Sequence, residues 1–187
     1  MRRRSFISSS LATVPLVTFA KLKTILSMRT DKPFKVDSGE ARFGKQYKMK
    51  GVTLNTLDIK ISGKDTNDDL AVFEQTGQTP LGGPPLHIHI DQDEWFFVLE
   101  GEYLFQCGND KFHMKAGDTI FLPRNMPHAF IQLTEKARTL VSYMPAGKME
   151  AFFAVTDNWQ SPPSKEEIAK VFADHGMKVV GEPLKVT

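Results

Sequence analysis

The chain has 187 residues, about one domain's worth, and its 41% hydrophobic and 25% charged content is that of a soluble globular protein. Its 24 basic and 22 acidic residues leave a net charge of +2; without Arg2, Arg3 and Arg4 the acids outnumber the bases by one, so no basic stripe supports nucleic-acid binding. Cys107 is alone, which excludes an intramolecular disulfide, and 11 prolines, 13 glycines and 14 phenylalanines suit a turn-rich β protein better than a helical bundle.

Residues 1–20, MRRRSFISSSLATVPLVTFA, have a basic start, a modest apolar stretch and small residues near Ala20, the layout of an export signal. Arg3-Arg4-Ser5-Phe6-Ile7 resembles the twin-arginine export motif. The stretch is too short and too polar to span a membrane, and no cysteine follows it to carry a lipid. The expectation is a mature protein that starts near Lys21, is periplasmic or secreted, and has no membrane anchor. The alternative is a plain extension before a true start at Met28, with the protein cytoplasmic. Residues 21–50 read as an N-terminal extension with a short strand at 42–47.

From residue 51 the hydrophobic period becomes two. Leu57, Ile59 and Ile61 alternate with Asp58 and Lys60, and LAVFEQT (70–76) is a second β-branched run. The prolines of LGGPPL suit a turn and a strand entry rather than a central ladder. Strands follow at 87–90, 94–99, 102–107, 111–115, 119–122, 129–133 and 139–144, with a hairpin turn at Gly108-Asn109-Asp110. Many short strands with regular turn signals predict a β-sandwich or barrel over 51–146. Residues 147–187 read as a C-terminal helical segment: a short helix in GKMEAFFAV, then a helix opened by a Ser164/Glu167 capping box and stopped by Gly176.

The chemistry concentrates in LHIHIDQDEWFFVLEG, residues 86–101. Residues two apart on a strand share a face, so His87 and His89 point together, and Glu94 can return beside them after the short turn Asp91-Gln92-Asp93, read as solvated. Two imidazoles and a carboxylate on one face are the kind of set that holds Fe(II) or a similar divalent ion with open positions. An H-x-H strand alone is weak grounds, since surface or core histidines are common. His113, among alternating lysines, reads as exposed, and His175 as a helix-end residue favoured by the dipole. Trp95, Phe97 and Leu99 form the face opposite Glu94, Phe96 and Val98; they read as core, or as an outward strip suited to a homodimer interface.

A second stretch, GDTIFLPRNMPHAFIQ (117–132), carries Gly117, Pro123 and His128. Together the two stretches resemble the paired motifs of the cupin superfamily. His87, His89, Glu94 and Gly101 match the first motif in spacing, and Gly117, Pro123 and His128 the second. The chain departs from the pattern at Leu81, where the opening glycine belongs, at Asn125 in place of glycine, and at Gln132 in place of asparagine. Asparagine tolerates left-handed backbone angles, so the turn should survive.

The resemblance implies an all-β fold, a double-stranded β-helix (jelly-roll) barrel with short C-terminal helices here. It implies His87, His89, Glu94 and His128 as ligands of a divalent metal: iron or manganese, alternatively zinc, nickel, copper or cobalt. Its single-domain members similar to quercetin 2,3-dioxygenase suggest a metal-dependent oxygenase acting on a small enediol or hydroxy-ketone, with Glu94 as ligand or base. Phe96, Met126 and Phe130 would wall the substrate pocket and Gln132 would supply a hydrogen bond. The alternatives are a non-catalytic, metal-assisted small-molecule binding protein and a cupin isomerase or decarboxylase.

Overall fold

The computed structural model describes residues 29–186; the expected export signal at 1–20 lies outside the described residues, as do residues 21–28. A 3-10 turn at Arg42–Gly44 precedes strands β1 (Gln46–Lys48) and β2 (Asn55–Ile61), a short helix α1 (Gly63–Thr66), and β3 (Ala71–Gly77). Seven strands follow: β4 (Pro85–His89), β5 (Asp93–Glu100), β6 (Glu102–Cys107), β7 (Asp110–Lys115), β8 (Thr119–Leu122), β9 (His128–Gln132) and β10 (Ala137–Met144). The chain then forms α2 (Met149–Asp157), α3 (Lys165–Asp174) and β11 (Met177–Pro183).

Two antiparallel sheets face each other, one in the order β1-β2-β3-β10-β5-β8 and the other β11-β4-β9-β6-β7. The period-two pattern is the cause. On β3 every second residue from Ala71 to Gly77 is buried and those between are half-buried, and β5 buries Glu94, Phe96 and Val98 while Trp95, Phe97 and Leu99 face outward. The inward rings pack edge to face between the sheets, Phe96 lying 5.0 Å from Phe105 and 5.5 Å from Phe130 between centroids.

Three local features depart from the sequence reading. The segment expected as a strand from residue 42 begins as the 3-10 turn, with Phe43 at φ 60, and extends only at Gln46. Helix α1, opened by a capping box of Ser62 and Asp65, was not foreseen, because four residues are too few for a periodic signal. Nor was β11, which pairs with β4 through Met177↔His89 and Val179↔His87. It turns β4 into an interior strand. The α3 capping box is present as read, with Ser164 and Glu167 bonding each other's backbone N–H.

The helices close one end of the sandwich. Met149, Phe152 and Phe153 of α2, Phe172 of α3 and Met177 of β11 are all buried there. Phe152 meets Phe172 edge to face at 5.1 Å, joining the two helices into one apolar roof.

Candidate metal centre

His87 and His89 project inward from β4, Glu94 from the start of β5 and His128 from the start of β9. His128 is the register partner of His87, which brings the third imidazole beside the first two. The loop leading to it is stitched to the β4–β5 turn. The Asn125 backbone N–H donates to the His89 carbonyl at 2.7 Å, its side-chain amide to the Ile90 carbonyl at 3.0 Å, and Arg124 pairs with Asp93 at 2.6 Å. Asn125 stands at φ 62, so the left-handed turn is made without the glycine usual there.

The four side chains are buried, and one donor atom from each lies within 4.8 Å of every other. The ring tautomers follow from the neighbours. His87 Nδ1 is 2.8 Å from the Pro85 carbonyl and His128 Nδ1 is 2.9 Å from the Met126 carbonyl; carbonyls only accept, so each Nδ1 carries a proton. His89 Nδ1 is 3.1 Å from Gln92 Oε1. The three Nε2 atoms therefore turn to the interior.

Glu94 Oε2 sits 3.0 Å from His128 Nε2 and 3.7 Å from His89 Nε2. His128 Nε2 is buried yet makes no hydrogen bond of acceptable geometry. An imidazole lone pair and a carboxylate oxygen at that separation need a cation, either a proton or a metal ion. Three nitrogens and one oxygen of this kind suit a divalent metal with positions left open.

The electrostatics prepare the same state. Burial holds the His87 ring well below the usual histidine range, helped by His128 and His89, and it holds His89 down against the opposing pull of Glu94. Both rings are neutral, as ligands must be. Burial pushes Glu94 up, while the Tyr143 hydroxyl and whatever positive charge the cluster shares with His128 and His89 pull it the other way, to a net position below its ordinary value.

A cavity of about 40 Å³ adjoins the cluster, touched by His87, His89 and Glu94 and walled by Phe130, Tyr143, Met149, Phe152, Phe153, Phe172 and Met177. Gln75, Thr53, Met49, Val52 and Pro84 complete it. Phe130 thus lines the space as expected from sequence. The other three expected pocket residues lie elsewhere. Phe96 is packed behind the site against Phe105 and Phe130. Met126 is 38% exposed on the outer loop. Gln132 is buried, but its amide donates to the Thr134 carbonyl at 2.7 Å and closes its own turn. Parity placed Gln132 inward correctly; depth along the strand put it away from the cluster.

The sequence reading missed most of the walls. Tyr143 was findable, since it shares the inward parity of Val141 on β10 and faces Glu94 in register. The roof was not, because nothing local to α2, α3 or β11 says which opening they cover.

The family model for a cupin domain matches residues 78–143. Quercetin 2,3-dioxygenase of Bacillus subtilis is 26% identical over 145 residues, which cover 73% of this chain and 40% of that protein. An uncharacterized protein of Methanocaldococcus jannaschii is 42% identical over 50 residues, 26% of this chain and 40% of that one. The chain thus spans about two fifths of the length of the curated relatives it matches. The crystal structure of an RmlC-like cupin from Shewanella frigidimarina superposes with a TM-score of 0.50 at 16% identity, over 64% of this chain and 96% of that chain, a likeness of fold. With the two facing sheets and the buried histidine–glutamate cluster in agreement with the match, residues 78–143 are a cupin domain.

Proposed function

We propose that the protein is a metal-dependent oxygenase acting on a small enediol or hydroxy-ketone. The observation that carries this is the buried set of His87, His89, His128 and Glu94, whose free donor atoms converge beside a small, largely apolar cavity. The likeness to a quercetin 2,3-dioxygenase supports the reaction class. Iron or manganese is the proposed ion; the donor set also accommodates zinc, nickel, copper or cobalt, since such sites rank these metals by affinity rather than exclude them. When bound, the ion would supply Lewis acidity and a place for two oxygens of the substrate.

The chain's own residues would do the rest. Glu94, ionised and held by Tyr143, is placed to accept a hydroxyl proton from a substrate in the cavity. Phe130, Phe152 and Phe172 exclude water. None of the described lining residues is a lysine or arginine, so a phosphate or a dicarboxylate would find no positive side chain there beside the metal ion itself.

Size narrows the substrate further. About 40 Å³ has room for two or three waters, so any ring requires the α2–α3 roof to lift. A second cavity, of about 200 Å³, lies across Val52, which lines both; it is bounded by Ile168 of α3 and by Val179 and Gly181 of β11. We place substrate entry there. A second reading, a non-catalytic binding module for a very small ligand, draws its support from the same constriction.

The discriminating experiment is metal analysis of protein purified from its host, followed by oxygen uptake with flavonols and smaller enediols. Uptake on any of these supports an oxygenase. Bound metal with no oxygen consumed across the panel favours the binding module, and no metal at all refutes both. Export through residues 1–20 and pairing of two copies belong to the same proposal. The pairing rests on the outer strip, where Trp95 faces Phe121, itself 55% exposed.

A further inference from the structure

Gln92 lies in the acidic turn between β4 and β5, flanked by Asp91 and Asp93, where sequence alone suggests a solvated residue. It is instead 5% exposed. Its amide nitrogen is 2.9 Å from the Pro145 carbonyl and 2.8 Å from the Ala146 carbonyl, and its amide oxygen faces His89 Nδ1 at 3.1 Å. Gly147 packs against the amide so closely that a Cβ there would meet Gln92 Nε2 at 2.7 Å.

We propose that Gln92 is a positioning residue that fixes the tautomer of His89 and ties that ring to the chain entering α2. The two carbonyls can only accept, so the amide group cannot be flipped: its N–H donors must face Pro145 and Ala146. Its oxygen must then face His89. An oxygen accepts, so His89 Nδ1 carries the proton and Nε2 presents its lone pair to the cluster. His87 and His128 obtain the same tautomer from carbonyls two residues before them. His89 has His87 at that place, and a side chain from beyond the strand serves instead.

The tether has a second consequence. The carbonyls Gln92 holds immediately precede α2, whose Met149, Phe152 and Phe153 roof the cavity. Orientation of His89 and seating of the roof therefore share one amide. The inference draws on the metal reading only for its effect on affinity; the tautomer is a property of the metal-free protein.

The test uses full-length protein with histidine ring nitrogens labelled, freed of metal by chelation, with the His89 signals assigned through His89→Gln. In the wild type His89 should be the Nδ1–H tautomer. Gln92→Leu should lose that preference and bind zinc, the probe metal, about 10–100-fold more weakly in competition with a chromogenic chelator. Gln92→Glu still offers His89 an acceptor but loses the donors to Pro145 and Ala146, so it should keep the tautomer while loosening the segment that enters α2, which separates the two roles. An Nε2–H tautomer in the wild type overturns the proposal. So does a Gln92→Leu protein with tautomer and zinc affinity unchanged. If Gln92→Leu does not fold, the wild-type and Gln92→Glu spectra decide. A wild type that takes up no zinc refutes the metal site, while its tautomer still judges Gln92.

Discussion

Phe172→Ala tests whether the roof closes the cavity. Phe172 is 2% exposed, meets His87 edge to face at 5.2 Å and Phe152 at 5.1 Å, and lines the cavity. Truncating a buried phenylalanine to alanine removes roughly 100 Å³ of side chain, and at about 24 cal/mol per Å³ the unfilled space alone costs about 2.4 kcal/mol. Lost transfer energy brings the total to the 3–5 kcal/mol typical of this substitution, near the upper end if the roof does not collapse. That is a large share of the roughly 5–15 kcal/mol that stabilises most domains. The enlarged space, with the existing 40 Å³, reaches about 140 Å³, close to the size at which engineered apolar cavities admit benzene or xenon. Two measurements follow: urea unfolding of the metal-free protein, and xenon or benzene uptake by wild type and variant. The expected result is a loss of about 3–5 kcal/mol together with uptake by the variant alone. Uptake by the wild type, or a loss under about 1 kcal/mol, would refute a packed roof over a closed site.

Ser164→Ala removes the cap of the helix that carries Phe172; it should cost about 1 kcal/mol and speed hydrogen exchange in residues 165–174, and unchanged exchange would count against the cap. For the metal-free protein the pH dependence has a definite sign. Burial keeps His87 and His89 below the usual histidine range, so below about pH 6.5 the unfolded chain binds protons that the folded one does not. Stability is complete above that pH and is lost as pH falls, by up to about 1.4 kcal/mol per pH unit for each ring, and a flat urea-unfolding profile from about pH 7 to about pH 5 would contradict it. Glu94→Gln removes the oxygen that sits 3.0 Å from His128 Nε2, and zinc affinity should fall more than the roughly 10–100-fold expected for losing an outer partner. Unchanged zinc binding would remove Glu94 from the donor set.

Much of this architecture was legible because strands write their facing into the sequence. Parity alone put His87 with His89, and Glu94 with Phe96 and Val98, on shared faces, but it did not say which face of β5 is inward: Trp95, Phe97 and Leu99, which read as core, face outward. The resemblance of the two motifs to the cupin pattern brought in His128, which parity on its own strand could not have joined to the others. What stayed hidden depends on contacts remote in sequence. Strand β11 reads MKVVGEP, too polar and too far along the chain from the barrel strands to announce that it would pair with β4. Met126 turns outward at the loop, and Gln132, which shares the parity of His128, lies one full strand further on. Gln92 was misjudged for a related reason: two aspartates beside it suggested solvent, while its burial comes from the Pro145–Ala146 segment packing over the turn.

The donor cluster combines two kinds of specification. Two of the tautomers are set close by in the chain, those of His87 and His128 by carbonyls two residues earlier, whereas that of His89 is set by Gln92, whose amide is itself oriented by the remote Pro145 and Ala146 carbonyls. Convergence is set globally, by the β4–β9 pairing and by the Asn125 loop that clamps onto His89 and Ile90. Convergence then forces together atoms that all accept and none of which donates, an arrangement that costs free energy until a cation neutralises it. A fold that keeps such a cluster buried, with His128 Nε2 left without a hydrogen bond, gains stability from whatever cation it binds. Metal uptake and folding stability are therefore linked here through the same four side chains, and the roof helices that bury those side chains strengthen the link.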